Sequence, residues 1–436
     1  MPPPSVRLSG LAARTPEQPI SHFMKVALEN PGLISLAAGF VDEDSLPAET
    51  TAAALADLLG RPDSARAALQ YGSTQGHPPL RAKLLDRLAA ADGTTPAGLG
   101  LAVEDVVVTT GSQQLLYIVA ELLLDPGDIV VTEAPSYFVY HAALAGRGAE
   151  VIPVPMDAEG MDTDALEAAL CDLDRTGRLE RLKLIYTIDY FQNPTGLTLS
   201  AKRRQRLMEL VRQYSRRHRI VVLEDAAYRE LRFSGPDVPS LKSLDPDNEY
   251  VIYTSTFSKP CAPGIRMGCG VVPRDLMAPL LRLKGSHDFG SANLAQYLAD
   301  RLLESGAYEQ QVAVLRDVYQ SKCRATTEAL AAEFREWPAV RWTQPAGGLY
   351  VWLTFPPAVG TGPGSPLMEA CLREGVLYVP GEFCHVALEG RLPSNEIRLC
   401  YGVAGPDQIR EAVRRLARAA KGLLGTKPAA RRVTAV

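Results

Sequence analysis

No apolar run in these 436 residues approaches the ~20 needed to span a bilayer, so no membrane-spanning helix is expected. The N-terminus, Met1-Pro-Pro-Pro-Ser-Val-Arg7, lacks the apolar core of a signal peptide. Excess positive charge is missing too. The formal net charge is −4, which argues against nucleic acid or an anionic membrane as partner. Cysteine is sparse and unpatterned. The seven stand at 171, 261, 269, 323, 371, 384 and 400, odd in number and in no metal-ligand spacing. The reading is reduced thiols, no bound metal and a cytoplasmic protein. Cys269 and Cys400 lie in apolar, strand-like context and read as core. Neither GxxxxGK[ST] nor GxGxxG occurs, which argues against a Walker loop and a dinucleotide-binding turn. What remains is an ordinary globular composition, 46% hydrophobic and 22% charged, long enough for one large or two medium domains.

The stretch from Thr254 to Gly270 organises the rest. Tyr250–Thr254 is β-branched and aromatic, and Met267–Val272 is small and apolar, so both read as buried strands. Between them stand Thr256, Ser258, Lys259 and Arg266, on backbone broken by Pro260, Pro263 and Gly264. A lysine held there suits a Schiff-base role, its amine desolvated and near other cations. Thr256, Ser258 and Arg266 would then hold a phosphate beside it, arginine because its planar fork meets oxygens in pairs. The plainer alternative is a hydroxyl-rich loop with a salt-bridged lysine.

Other strand ends carry similar groups. Leu33–Phe40 is a short strand running into Gly39, where a ligand can approach the backbone, or where the chain merely turns. Tyr71 sits on a glycine-bounded loop, placed either to present its hydroxyl or to pack over the turn. The strand Glu104–Thr110 runs into Gly111-Ser112-Gln113-Gln114 and a helix to Leu124, a ready anion site. Ser112 is also a candidate N-cap. Tyr137 follows the next strand and is either a stacking aromatic or core. Asn193, in Gln-Asn-Pro-Thr-Gly196 after the strand Leu182–Thr187, can aim its amide at a ligand, though such turns are common. Asp225 and Tyr228 follow the apolar run Arg219–Leu223. A carboxylate there needs a partner, either a protonated ring nitrogen or an arginine. Arg398, in a short strand flanked by apolar residues, wants an anion. The basic face of helix 200–217, with Arg203, Arg204 and Arg206 among others, reads as solvated. Asp189 and Tyr190 acquire no role.

Strands and helices alternate from about residue 100 to 275. The predicted fold class is therefore α/β, a mostly parallel sheet with helices on both faces, and the candidates gather at its strand C-termini. After residue 275 come long helices and then short strands, a smaller α+β domain.

Together the motifs are specific. Gly111-Ser-Gln-Gln, Ala134-Pro-Ser-Tyr137, Phe191-Gln-Asn-Pro-Thr-Gly196, Glu224-Asp-Ala-Ala-Tyr228, Thr256-Phe-Ser-Lys259 with Ala262-Pro-Gly-Ile-Arg266, Pro345-Ala-Gly-Gly and Arg398-Leu-Cys-Tyr occur in family order. From about residue 20 to 424 the chain resembles the fold-type I, pyridoxal-phosphate-dependent aminotransferases of class I/II, in particular the group with α-aminoadipate and kynurenine aminotransferases. Residues 1–19, with five prolines and few large apolar groups, read as a mobile arm or a covering segment, and 425–436 as a loose tail; between them the expected division is a small domain from 20–48 and 300–424 and a large cofactor-binding domain at 49–299. The resemblance implies pyridoxal 5′-phosphate as cofactor and a homodimer. Lys259 would carry the cofactor and then shuttle the substrate proton. Asp225 would pair with the ring nitrogen, Asn193 and Tyr228 would hold the phenolic oxygen, and Tyr137 would stack on the ring. Ser112, Gln113, Thr256, Ser258 and Arg266 would bind the phosphate, with Tyr71 reaching in from the other subunit. Arg398 would take the substrate α-carboxylate, helped by the Gly39 backbone and Asn193.

The implied activity is transfer of an amino group from an L-amino acid (apolar, aromatic or α-aminoadipate-like) to a 2-oxo acid such as 2-oxoglutarate. Ser21 stands where the α-aminoadipate enzymes carry an arginine for a distal carboxylate, which favours an apolar or aromatic donor. The alternatives are a lyase, racemase or cyclopropane-forming enzyme on the same fold, or a non-catalytic effector module. Related regulators carry a winged-helix head, for which the roughly twenty residues before the matching region are too few. The N-terminal arm and the 284–293 loop are expected to form the lid that sets side-chain choice.

Overall fold

Apolar runs that end in glycine, proline or a polar residue become the strands of one large sheet. The computed structural model of the protein describes residues 6–19, 23, 26, 29, 30, 32–387 and 390–424. Ile34–Ser35 (β1) pairs in parallel with a later strand of the smaller domain. Eight strands then form the large sheet: Val106–Thr109 (β2), Ile129–Ala134 (β3), Glu150–Asp157 (β4), Gly160–Met161 (β5), Leu182–Thr187 (β6), Val221–Asp225 (β7), Val251–Thr256 (β8) and Gly268–Val271 (β9). Their order is β2-β9-β8-β7-β6-β3-β4-β5. The block β4-β3-β6-β7-β8 is parallel. β9 runs antiparallel to both β8 and β2. Its connection to β8, Phe257–Met267, is too short for the crossover that a parallel strand needs. The sheet is thus mixed, with a parallel centre.

Successive residues on a strand point to opposite faces, and the two faces acquire separate cores. Val130, Leu184 and Leu223 pack with Leu115, Ile118 and Val119 of the helix Gly111–Leu123. Ile129, Val131, Ile185 and Val222 pack instead with Leu166 and Leu170 of Thr163–Arg175 and with Leu207 and Val211 of Ala201–Tyr214. Burial on both faces explains why these strands read as unbroken apolar runs.

The smaller domain holds an antiparallel sheet of Arg341–Trp342 (β10), Tyr350–Thr354 (β11), Val379–Pro380 (β13) and Glu396–Cys400 (β14), in the order β10-β11-β14-β13. Val376–Leu377 (β12) is the partner of β1. The helices Ala307–Glu333 and Pro406–Lys421 belong to this domain. The second is strongly amphipathic and buries Ile409, Ala412, Val413, Leu416 and Ala420, a helical stripe. No helix among the described residues is long and apolar enough to cross a membrane.

Several local expectations are corrected. The helix Arg274–Asp288 takes in Lys284–Asp288, which the sequence placed in a loop. There Lys284 is fully buried and its Nζ reaches Asp288 Oδ1 at 2.9 Å, an i,i+4 pair that a propensity reading underweights. Only Phe289–Ala292 remains irregular. A helix at Pro62–Leu69 follows Ala48–Gly60, with Pro62 at its first position, where a missing N–H costs nothing. Within the segment expected to be an arm, Gly10–Arg14 is helical, and Arg14 Nε donates to the Gly146 carbonyl at 3.1 Å. Ser21 and residues 425–436 lie outside the described residues.

Arg204 is not on a solvated face. It is 1% exposed and forms an ion pair with buried Asp189. Its Nη2 donates to the Asp189 carbonyl at 2.7 Å and its Nε to that of Leu199 at 2.9 Å. Its guanidinium lies 4.2 Å from the Tyr190 ring centre. Asp189 and Tyr190 therefore hold the buried end of helix Ala201–Tyr214 against β6. Arg204→Ala strands a buried carboxylate. It is expected to lower unfolding free energy by about 3–5 kcal/mol in a denaturant titration. A loss below 1 kcal/mol would show the pair to be dispensable.

Candidate active site

The strand ends converge on one cavity of about 580 Å³. Ten of the thirteen candidates line it: Ser112, Gln113, Tyr137, Asn193, Asp225, Tyr228, Thr256, Ser258, Lys259 and Arg266. Gly39 and Arg398 adjoin it. Lys259 Nζ donates to the Gly39 carbonyl at 2.8 Å, and Arg398 Nη1 donates to Asn193 Oδ1 at 2.9 Å. Tyr71 stands apart. It is 83% exposed, with its ring edge-on to Phe289 at 5.6 Å.

One end of the cavity is built for an anion. The helix Gly111–Leu123 starts there, with Thr110 at the cap position, so Ser112 lies inside the first turn and is not the N-cap. Its first N–H groups have no partner within the helix and meet the positive end of the dipole. β9 passes behind. A Cβ at Gly268 would lie 2.6 Å from the Ser112 nitrogen, so only glycine lets sheet and helix approach this closely. Thr256 Oγ1 donates to Ser258 Oγ at 3.1 Å. Arg266, at φ +53°, turns its guanidinium over Gly111, and its described hydrogen bonds go to neutral oxygens of Ser258 and Pro263. Amide N–H groups, hydroxyls and a guanidinium bonded only to neutral oxygens fit a phosphate.

In the middle of the cavity is a carboxylate that no cation among the described residues pairs. Asp225 is 4% exposed. Tyr186 Oη donates to its Oδ2 at 3.0 Å and the Ala227 N–H to its Oδ1 at 3.2 Å. Burial pushes the carboxyl up to about 6, against the pull of these two donors. A protonated ring nitrogen would supply the missing charge. The Asn193 turn is held from below by Gln192, whose Nε2 donates to Glu133 Oε2 and to the Pro135 carbonyl, both at 2.8 Å. Burial pushes the Glu133 carboxyl up to about 7. With Oδ1 of Asn193 facing Arg398, its Nδ2 is left to donate to a ligand.

Desolvation, with Arg398 and Arg266 adding repulsion, lowers the Lys259 amine to about 8. Arg398 is 2% exposed and stands on β14. Its Nη2 donates to the Ala37 carbonyl at 2.7 Å, its Nε has no partner, and no carboxylate of the described residues pairs with it. The rings of Phe138 and Tyr350 flank it at 5.4 and 4.7 Å. A buried cation so placed can donate to and pair with a carboxylate.

Sequence reasoning misses Glu133, Tyr186, Gln192 and Tyr350. Glu133 ends an apolar strand much as Asp225 does, and that signal is present in the sequence. The tyrosines read as core.

A family model for class I and II aminotransferases matches residues 31–416. Aromatic-amino-acid aminotransferase 1 of Thermococcus litoralis is 35% identical over 396 residues, covering 90% of this chain and 89% of that protein. The 2-aminoadipate transaminase of Thermus thermophilus is 35% identical over 415 residues, covering 95% and 96%. Among solved structures, the kynurenine aminotransferase of Pyrococcus horikoshii, in complex with PMP, aligns with a TM-score of 0.87 at 33% identity, covering 96% of this chain and 98% of that one.

Proposed function

The chain belongs to the class I and II aminotransferases and is a pyridoxal-phosphate-dependent enzyme. From that premise we propose that it moves the amino group of an apolar, aromatic or α-aminoadipate-like L-amino acid to a 2-oxo acid such as 2-oxoglutarate. One observation carries this reading. An amine of lowered pKa, a carboxylate and an arginine surround a single cavity, and neither of the last two has an opposite charge among the described residues. The names of the two relatives support an aromatic or aminoadipate donor.

The residues fit pyridoxal phosphate. Ser112, Gln113, Thr256, Ser258 and Arg266 would hold its phosphate, and Asp225 its ring nitrogen. Asn193 and Tyr228 would hold its phenolic oxygen, with Tyr137 against the ring face. When bound, it supplies an electron sink for the charge that develops at the substrate Cα. Arg398 would bind the α-carboxylate in a two-pronged contact and, with the Gly39 backbone and Asn193, fix which Cα bond faces the ring. The Lys259 amine would hold the cofactor aldehyde between turnovers, and once released it would take the proton from the substrate Cα and deliver it to the cofactor's C4′ carbon. Asp225 would keep the ring nitrogen charged. The proposed division is a large domain at 49–299 and a small one from 20–48 and 300–424, in a cytoplasmic homodimer that acts on neither nucleic acid nor membrane. Tyr71 would complete the partner's phosphate site; its exposure and its contact with exposed Phe289 support a partner surface there.

Absorption spectroscopy tests the reading. Purified protein is expected to show a visible cofactor band that bleaches with an aromatic or aminoadipate donor and returns with 2-oxoglutarate. A band that stays put with every L-amino acid would overturn amino transfer. Products formed without an added oxo acid would favour lyase or racemase chemistry.

A further inference from the structure

Tyr350 opens β11 in the small domain and is 1% exposed. Its hydroxyl lies 3.1 Å from that of Tyr228, which follows β7 in the large domain. The two rings meet edge to face, 5.6 Å apart at 79°. The Tyr350 ring also lies beneath the Arg398 guanidinium at 4.7 Å. Its hydroxyl oxygen would be 2.8 Å from a Cβ at Gly39, so it lies close beside the segment whose carbonyl holds the Lys259 amine. One side chain thus touches the oxygen-holding, carboxylate-binding and lysine-holding groups, and its hydroxyl has no part in the chemistry above.

We propose that Tyr350 is a positioning residue for Tyr228. Its hydroxyl donates to the Tyr228 oxygen, so that Tyr228 gives its own proton to the cofactor's phenolic oxygen. This rests on the reading of the cavity as a pyridoxal phosphate site. The direction follows from proton count. A hydroxyl has one proton, and if Tyr228 gave it to Tyr350 only lone pairs would face an anionic oxygen. Both protons stay in place, because burial pushes both hydroxyls up, Tyr350 to about 12. Arg398, Cys384 and Cys400 surround Tyr350, and Tyr137 and Asp225 surround Tyr228. A donor that itself accepts a hydrogen bond is polarised and donates more strongly. Because the pair joins the two domains, the donor strength of Tyr228 depends on how the small domain sits.

The test is a pH titration of the visible band in the loaded enzyme. A weaker donor leaves more charge on the phenolic oxygen, which then holds the neighbouring proton longer. Tyr350→Phe is expected to raise the midpoint by about half a pH unit and to lower kcat/KM about three- to tenfold, with KM little changed, since the ring stays under Arg398. Tyr350→Leu should give the same midpoint shift and also raise KM about tenfold; if only one variant folds, the midpoint still decides. In the Tyr228→Phe background, Tyr350→Phe should move the midpoint no further. An unmoved midpoint, or an equal shift in both backgrounds, would overturn the assignment. A wild-type protein with no pH-dependent visible band would instead sink the cofactor-site reading.

Discussion

Lys259→Ala is expected to abolish turnover, lowering kcat by about 10⁴-fold or more, while the protein folds and still takes up pyridoxal phosphate. The size follows from two losses at once. The covalent anchor disappears, and so does the base that carries the Cα proton, a role worth about 10²–10⁴-fold by itself. Borohydride treatment should fix the cofactor to the wild-type chain and not to the variant. Retention of a tenth of the wild-type rate would remove Lys259 from the mechanism. The same lysine sets a pH dependence. Its amine is held at about 8 instead of the ordinary 10.5, chiefly by desolvation. The neutral form attacks, and it predominates above the pKa. Cofactor capture by the empty wild-type protein should therefore rise about tenfold per pH unit up to roughly pH 8 and then level off. A rise that continues unbroken to pH 10 would mean an ordinary lysine.

Arg398→Ala is expected to lower kcat/KM for amino acids by about 10²- to 10³-fold, the usual consequence of truncating one member of a buried charge pair. Arg398→Lys should recover only part of the loss. An ammonium cannot reproduce the fork that now donates to Asn193 Oδ1 and the Ala37 carbonyl and leaves Nε free. The control is the amine that lacks the α-carboxylate. If Arg398 binds that group, the variant's rate with the amine should match the wild type's. An equal loss with both substrates would make Arg398 a support for the Asn193 turn and nothing more.

Much of this site is legible in the order of residues along the chain. The strands 106–109, 182–187, 221–225 and 251–256 each run into a polar or turn-forming segment, and an open α/β sheet places such strand ends along one edge. Gly111, Asn193, Asp225 and Lys259 can be named for that reason. The supports cannot. Glu133 meets Gln192, and Tyr228 meets Tyr350, across stretches of chain that local periodicity does not join. Arg204 reads as solvated because a helix with charged residues on several faces does not say which face will dock. Its burial beside Asp189 is a fact of the sheet beneath it.

The sequence by itself determined the strand and helix order, the two-sided burial of the sheet and the set of chemical groups at its edge. These depend on spacing and on residue type, which are local. Tertiary structure alone decided that β9 returns antiparallel and that the Tyr350 hydroxyl lies against Tyr228. It also decided that Asp225 and Arg398 meet no opposite charge among the described residues. Desolvation and hydrogen-bond direction depend on what surrounds a group in space, and that environment exists only once residues distant in sequence have packed together.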